Sequence, residues 1–269
     1  MTNPPEEFLL AYQDSCAGLT LLLIHGFPLN SNLWEPQMED LRDVARVVAP
    51  DLRGHGLSAP GDEPYSVRLM AEDCMQLLEA VGAQDPVVVC GHSMGGYIAL
   101  EFFRQYPEWV DALILVSTRA TADSDEARQK RDETAQRAKD EGVPLVAREM
   151  LPSMLAPNNH EHTPELLEFV RDMMESTSLK GMVGALQAMK ERPDSMPTLP
   201  EIDVPVLIIH GEDDQLIPVK DAEAMRDALP TAELVLIPGA GHLPNLEQPV
   251  SFNEVVWDFL ESLSEEEEG

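Results

Sequence analysis

Ser93 is the residue whose surroundings could do chemistry. It stands in Gly91-His92-Ser93-Met94-Gly95, after the β-branched run Val87-Val88-Val89 and before Tyr97, Ile98, Leu100, Phe102 and Phe103 at the spacing of a buried helix. Strand, tight turn and helix meet at one serine. So sharp a turn drives Ser93 toward a sparsely populated φ/ψ region and needs small residues two positions away on each side, which Gly91 and Gly95 supply. Its hydroxyl then projects above the carboxyl end of the strand, beside the amide of Met94 at a helix N-terminus. A serine hydroxyl is too weakly acidic to attack an ester unaided. It needs an imidazole to take its proton and a carboxylate to hold that imidazole's tautomer. The Asp213/Asp214 pair follows one downstream apolar strand and His242 follows another. Gly-x-Ser-x-Gly alone arises by chance in about one chain in ten of this length, so the strand, the helix and these two partners carry the argument.

The rest of the chain has to position those side chains. Strands are expected at Phe8 to Tyr12 (a short edge strand), Leu19 to Ile24, Arg46 to Ala49, Ala112 to Val116, Val204 to Ile209 and Glu233 to Ile237. Helices are expected at about Leu33 to Leu41, Val67 to Val81, Val219 to Ala228 and Pro249 to Leu263. Apolar strands alternating with helices predict an α/β fold, a mostly parallel central sheet flanked by helices on both faces. The carboxyl ends of such strands share one side of the molecule, where Ser93, the aspartate pair and His242 should converge. The rhythm breaks between about Thr118 and Pro200. A charged helix (Asp123 to Glu141) is followed there by Met150, Met154, Met173, Met174, Met182, Met189 and Met196 among prolines. This stretch reads as an inserted helical cap over 119–200, leaving 1–118 and 201–269 as the core. Its methionines belong mostly to a core, with some free to line a pliable apolar pocket. Residues 1–7 and the closing Ser264-Glu265-Glu266-Glu267-Glu268-Gly269 read as loose ends.

Composition removes several function classes. The chain has 269 residues, 43% of them hydrophobic, enough for a sizeable core. No apolar run approaches the ~18 residues that span a bilayer. The first residues have neither a basic region nor an apolar stretch, so the expected location is the cytoplasm. Cys16, Cys74 and Cys90 suit a reducing compartment as small buried hydrophobes. Against 49 acidic residues stand 18 lysines and arginines, a formal net charge of −31 that repels nucleic acid and anionic membrane alike. His160 and His162 lie two apart, without a third ligand or i, i+4 spacing, and do not make a metal site. His92 is expected to pack or hydrogen-bond within the elbow, His55 to hold its loop, His210 to end a buried strand and Trp34 to pack in a core.

Residues 19–118 and 201–260 resemble the α/β-hydrolase superfamily. The resemblance is carried by His25-Gly26-Phe27-Pro28, Asp51-Leu52-Arg53-Gly54-His55-Gly56-Leu57-Ser58, Gly91-His92-Ser93-Met94-Gly95-Gly96, Gly211-Glu212-Asp213-Asp214 and Gly241-His242. It implies the α/β-hydrolase fold, with Ser93 as nucleophile and His242 as general base and acid. The acid falls on Asp214, three residues after Gly211, with Asp213 in reserve. The oxyanion hole would use the amides of Met94 and Phe27.

The function this implies is a serine hydrolase cleaving carboxylic esters of small to medium, largely apolar substrates, with a small-molecule ester or lactone as partner and no cofactor or metal. Strongly anionic substrates would need a local basic residue such as Arg119, Arg148 or Arg192. Serine at position 93 argues against dehalogenases and epoxide hydrolases, whose nucleophile is a carboxylate. Lactonase action, and the peroxide chemistry of cofactor-free perhydrolases and haloperoxidases, use the same parts. His-Gly-Phe-Pro followed by Leu29-Asn30 and Trp34 is similar to that perhydrolase branch. Carbon–carbon bond hydrolases and the methyl-ester esterases of biotin synthesis resemble the chain too. A slow-turnover ligand receptor is the reading from a different class. The acidic surface itself suggests adaptation to high salt, where screening relieves self-repulsion. On that basis Tm should rise from low salt to molar NaCl, and an unchanged Tm in a salt series removes the idea.

Overall fold

A computed structural model describes residues 9–15, 18–62, 64–84 and 86–267. The polar segment Tyr12–Asp14 forms strand β1, and the apolar runs, too short for helices, become β2 (Thr20–Ile24), β3 (Arg46–Pro50), β4 (Val87–His92), β5 (Val110–Val116), β6 (Val206–Gly211) and β7 (Ala232–Ile237). They form one sheet in the order β1-β3-β2-β4-β5-β6-β7, parallel except for β1, which runs antiparallel to β3. Successive side chains of a strand face opposite ways. Leu22, Ile24, Val89, Leu113 and Ile208 therefore enter one core, and Leu21, Leu23, Val88, Ile114 and Leu207 the other. Helices α1 (Glu35–Asp40) and α11 (Pro249–Glu267) close the second core, while α2 (Val67–Ala80), α3 (Met94–Gln105) and α9 (Val219–Ala228) close the first. This is the mostly parallel sheet covered by helices on both faces that the alternation predicted.

Between β5 and β6 the chain leaves the sheet for α4 (Asp125–Glu141), α5 (Val143–Met150), α6 (Asn159–His162), α7 (Pro164–Ser176) and α8 (Leu179–Glu191), with α4 packed along α8 and α5 along α7. Ser124 and Ser178 cap α4 and α8 by accepting from the amides of Ala127 and Gly181. The inserted methionines go largely inward: Met154, Met173, Met174, Met182 and Met189 are buried. The insertion is pinned to the core where α8 meets the loop after β3. The Ser178 amide donates to Gly54 O at 2.9 Å, and a Cβ on Gly181 would overlap the Gly54 backbone.

Three boundaries differ most from expectation, while β5 starts two residues early, at Val110, and β6 lies two residues later than Val204 to Ile209. The edge strand is Tyr12–Asp14, not Phe8 to Tyr12, and Phe8 lies outside the described residues. An edge needs only backbone pairing on one side, so the polar Gln13 and Asp14 serve, Asp14 holding Arg46 through two bonds of 3.0 and 2.6 Å. The helix expected from Leu33 divides into a 3₁₀ turn at Ser31–Trp34, capped by Asn30, and α1, which takes Pro36 into its first turn where a missing N–H costs nothing. The final helix runs on to Glu267, with no Gly or Pro to stop it at Leu263. Cys74 and Cys90 are free and buried, and Cys16 lies outside the described residues.

Buried histidines tie the loops above the sheet. His25 Nε2 accepts from the Leu52 amide at 2.9 Å, so its proton sits on Nδ1 and is donated to Gly26 O. Its ring lies 5.2 Å from that of His55, whose Nδ1 bonds Arg53 O. Burial pushes the pKa of His25 down to about 4 and that of His55 to about 3. His92, beside Ser93, falls to about 3 for the same reason, with the nearby His242 adding to it. The native protein thus keeps all three neutral, while the unfolded chain binds protons below pH 6.5. Stability should fall from pH 6.5 toward 4, each histidine contributing up to about 1.4 kcal/mol per pH unit. Denaturant midpoints measured between pH 7 and 5 check this, and a flat profile there contradicts it.

Candidate active site

The elbow that follows β4 is built as the glycines require. Ser93 holds φ 52° and ψ −111°. Its amide donates to Val116 O at 2.8 Å, and its own carbonyl accepts from Thr118 Oγ1 at 2.7 Å, so the turn is latched to β5. A Cβ on Gly91 would overlap the Gly95 carbonyl, and one on Gly95 would overlap Ile24 O at the end of β2. Only glycine fits at either place.

Two further loops meet Ser93 above the carboxyl ends of β6 and β7. His242 Nε2 lies 2.9 Å from Ser93 Oγ, and its Nδ1 lies 2.8 Å from Asp214 Oδ2. An ionised carboxylate only accepts, so Nδ1 carries the proton and the Nε2 lone pair faces the serine. Asp214 Oδ1 accepts from the amides of Leu216 (2.8 Å) and Ile217 (3.0 Å). Burial raises the Asp214 pKa, but His242 and these hydrogen bonds outweigh it and hold the carboxyl below its usual range. The neighbouring Asp213 is exposed. Its amide donates to Ala240 O at 2.9 Å, and its carboxylate makes no bond to His242. Of the pair, it is Asp214 that meets the imidazole. The two loops can touch because Gly211 and Gly241 are bare: a Cβ on Gly211 would overlap Gly241 O.

Two histidines do more than the sequence suggested. His92 Nε2 donates to His242 O at 2.7 Å, reaching out of the elbow to the third loop. His210 Nε2 donates to Ile217 O at 2.8 Å, closing the loop that presents Asp214. Burial lowers the pKa of His210 as well, which keeps it a neutral donor. Trp34 is fully buried against Phe252, as expected of a core residue. Phe27 and Met94 both border Ser93. Phe27 lines the cavity in front of it, and Gly26 packs against the Ser93 Cβ. Among the described residues neither of their amides has an acceptor.

That cavity, about 500 Å³, opens onto Ser93 and His242. The core supplies Tyr97, Leu216 and Ile217 to its wall, and the insertion supplies Val146, Met150, Leu186 and Met189. The remainder of the wall is not apolar. Arg119, Lys130, Arg131 and Arg137 line it too, in a chain with only 18 basic residues. Arg131 is paired with Asp123 at 3.1 Å, Arg119 with Asp221 at 3.3 Å, and Arg137 with Glu149. Lys130 has no carboxylate partner among the described residues. Arg148 and Arg192 do not line the cavity. Arg192 is buried against Asp123 at 2.7 Å and over the Tyr97 ring. His160 and His162 each bond a backbone carbonyl, of Leu155 and Asn158. The sequence reading passed over Glu247, whose carboxylate accepts from amides on both sides of His242. The only local signal is an acid closing a Pro-led helical turn directly after His242.

Comparisons with known proteins agree with this fold. The chain is similar in structure to a thermophilic esterase from Thermogutta terrifontis, described as malate bound, at 38% identity and TM-score 0.92, covering 94% of this chain and 93% of that one. It is also similar to the enol-lactonase from Burkholderia xenovorans, at 27% identity and TM-score 0.86, covering 93% of this chain and 96% of that one. In sequence it is 28% identical to 3-oxoadipate enol-lactonase 2 of Acinetobacter baylyi, over 88% of this chain and 86% of that protein. The family model for the alpha/beta hydrolase fold matches residues 20–249, a span that includes Ser93, Asp214 and His242, and on that match the chain belongs to the α/β-hydrolase family.

Proposed function

We propose that this hydrolase cleaves carboxylic esters through an acyl-enzyme, with Ser93 as nucleophile, His242 as base and acid, and Asp214 as the carboxylate that orients it. One observation carries the reading: Ser93 Oγ, His242 and Asp214 form an unbroken chain of bonds, 2.9 and 2.8 Å, at the floor of a substrate-sized cavity. Ser93 Oγ attacks the carbonyl carbon as its proton passes to His242 Nε2. The oxyanion is met by the amides of Met94 and Phe27, which are free to donate. His242 returns the proton to the departing alcohol oxygen, and the C–O bond breaks. Water, deprotonated by the same imidazole, then releases the acid. The imidazolium then returns its proton to Ser93 Oγ as the acyl–oxygen bond breaks, so every proton moves through His242 and only the water comes from outside the chain.

The inserted helices of residues 119–200 act in this reading as a cap over the acyl or alcohol portion. The mixed wall shifts the substrate away from the largely apolar one that the methionines suggested. Arginines answered by acids, with an unanswered Lys130, suit an ester that also bears a polar or anionic group. A second reading, lactonase action, draws support from the two enol-lactonase relatives, since a lactone is an intramolecular ester. The two readings share the triad and differ only in whether the alcohol leaves.

Saturable release of p-nitrophenol from p-nitrophenyl butyrate is expected of the wild type, and a lactone panel separates the readings. Ser93→Ala should lower kcat by on the order of 10⁴ or more. Asp214→Asn should cost far more than Asp213→Asn. Absence of any ester or lactone hydrolysis, or a greater loss at Asp213, overturns the assignment.

A further inference from the structure

One carboxylate outside the triad is bonded from two directions. Glu247 ends α10 (Pro244–Glu247), a single turn opened by Pro244, and its side chain folds back over that turn. Its Oε1 accepts from the amides of Gly241 at 2.8 Å and Leu243 at 3.2 Å, the residues on either side of His242. Its Oε2 accepts from the insertion, from the Ala156 amide at 2.7 Å and Asn159 Nδ2 at 2.6 Å. The same two segments are in direct backbone contact, since a Cβ on Gly241 would overlap Ala156 N. Asn159 Nδ2 also reaches Gly239 O at 3.2 Å.

Every partner is a donor, so only a group that accepts at both oxygens fits, and an ionised carboxylate is that group. Burial pushes the Glu247 pKa above the usual carboxylate range, the donors offsetting only part of it, so the ionised form that the four donors call for is held at a desolvation cost. An apolar side chain would fill the same space without that cost. What it could not do is hold the His242 loop. The loop's other fastenings, from His92 to His242 O, from the Asp213 amide to Ala240 O and from Asn159 to Gly239 O, all end on its carbonyls and leave the flanking amides to Glu247.

We propose that Glu247 is a positioning residue: with one oxygen it sets the backbone that carries His242, and with the other it fixes the 156–159 turn of the insertion beside that backbone. The proposal rests on the triad reading above. It implies that the base and the inserted wall of the cavity are placed by one side chain, so a disturbance on the insertion side should be felt at the imidazole.

The test uses the full chain with two variants and two readouts. Glu247→Gln keeps the size but turns an NH₂ group against donors on one side. Asn159→Asp leaves Glu247 intact and sets a second carboxylate against it. The readouts are kcat and KM with p-nitrophenyl butyrate, and the low-field proton NMR resonance of His242 Nδ1–H, which reports the bond to Asp214. With folding verified by circular dichroism, Glu247→Gln is expected to lower kcat about 10- to 100-fold, the scale of a small misplacement of a catalytic group, with KM changed far less. The His242 resonance should shift or broaden. Asn159→Asp is expected to move both readouts in the same direction by a smaller factor. A folded Glu247→Gln with wild-type kcat and an unmoved resonance overturns the proposal. Should that variant fail to fold, Asn159→Asp decides, and wild-type values of both quantities overturn it equally. If the wild type hydrolyses no ester at all, the resonance still reads the placement of His242, so the positioning role is judged apart from the reaction.

Discussion

Ser93 is held in a backbone conformation that costs about 1–3 kcal/mol for a residue with a side chain, and the structure around it exists to keep it there. The constraint is steric. Strand β4, helix α3 and the end of β2 approach so closely that Gly91 and Gly95 have no room for a Cβ, and β5 latches the turn through the Val116 carbonyl and Thr118 hydroxyl. Strands on both sides of β4 thus hold the elbow in place. Two cores, one on each face of the sheet, keep those strands in register. A turn secured from three directions cannot relax by moving any one of them.

The other two loops are joined by the same device of bare backbone and buried donors. Gly211 lets the Asp214 loop lie against the Gly241 carbonyl, and the Asp213 amide bonds Ala240 O across the gap. His92 and His210 sit at strand ends as neutral imidazoles, each giving one N–H to a carbonyl in a neighbouring loop. A histidine used in this way must be deprived of water, which lowers its proton affinity. The rigidity of the site and the sensitivity of the fold to acid therefore have one origin.

Charge divides the molecule into two regimes. A formal net of −31 is spread over the chain, yet several of its few cations gather on the wall of one cavity. Fields beyond about 8 Å are largely screened at physiological salt, so a ligand at the mouth of the cavity responds to the wall rather than to the distant surface. The insertion supplies that wall, and it also contributes most of the methionines that pack inward. Apolar burial holds the inserted helices together, and their charged faces give the cavity its character.

Sequence alone determined the strand order along the chain, the elbow and the three loops that would meet. These depend on local pattern: apolar runs of strand length, glycines flanking a serine, and polar residues placed just after each strand. By the family's spacing it also favoured Asp214 over Asp213, and in the structure His242 Nδ1 lies against Asp214. Other features were decided only in three dimensions. The edge strand settled on Tyr12–Asp14 because pairing with β3, rather than hydrophobicity, selects an edge. Arg119 reached the cavity while Arg192 went to Asp123 and the Tyr97 ring, a choice made by how α4, α8 and the core pack together. Glu247 gained its four donors from segments some 90 residues apart along the chain. Local sequence can specify a turn or a strand because neighbours in the chain share the constraint. It cannot specify which distant donors will surround a carboxylate, because that follows from where the insertion comes to rest on the sheet.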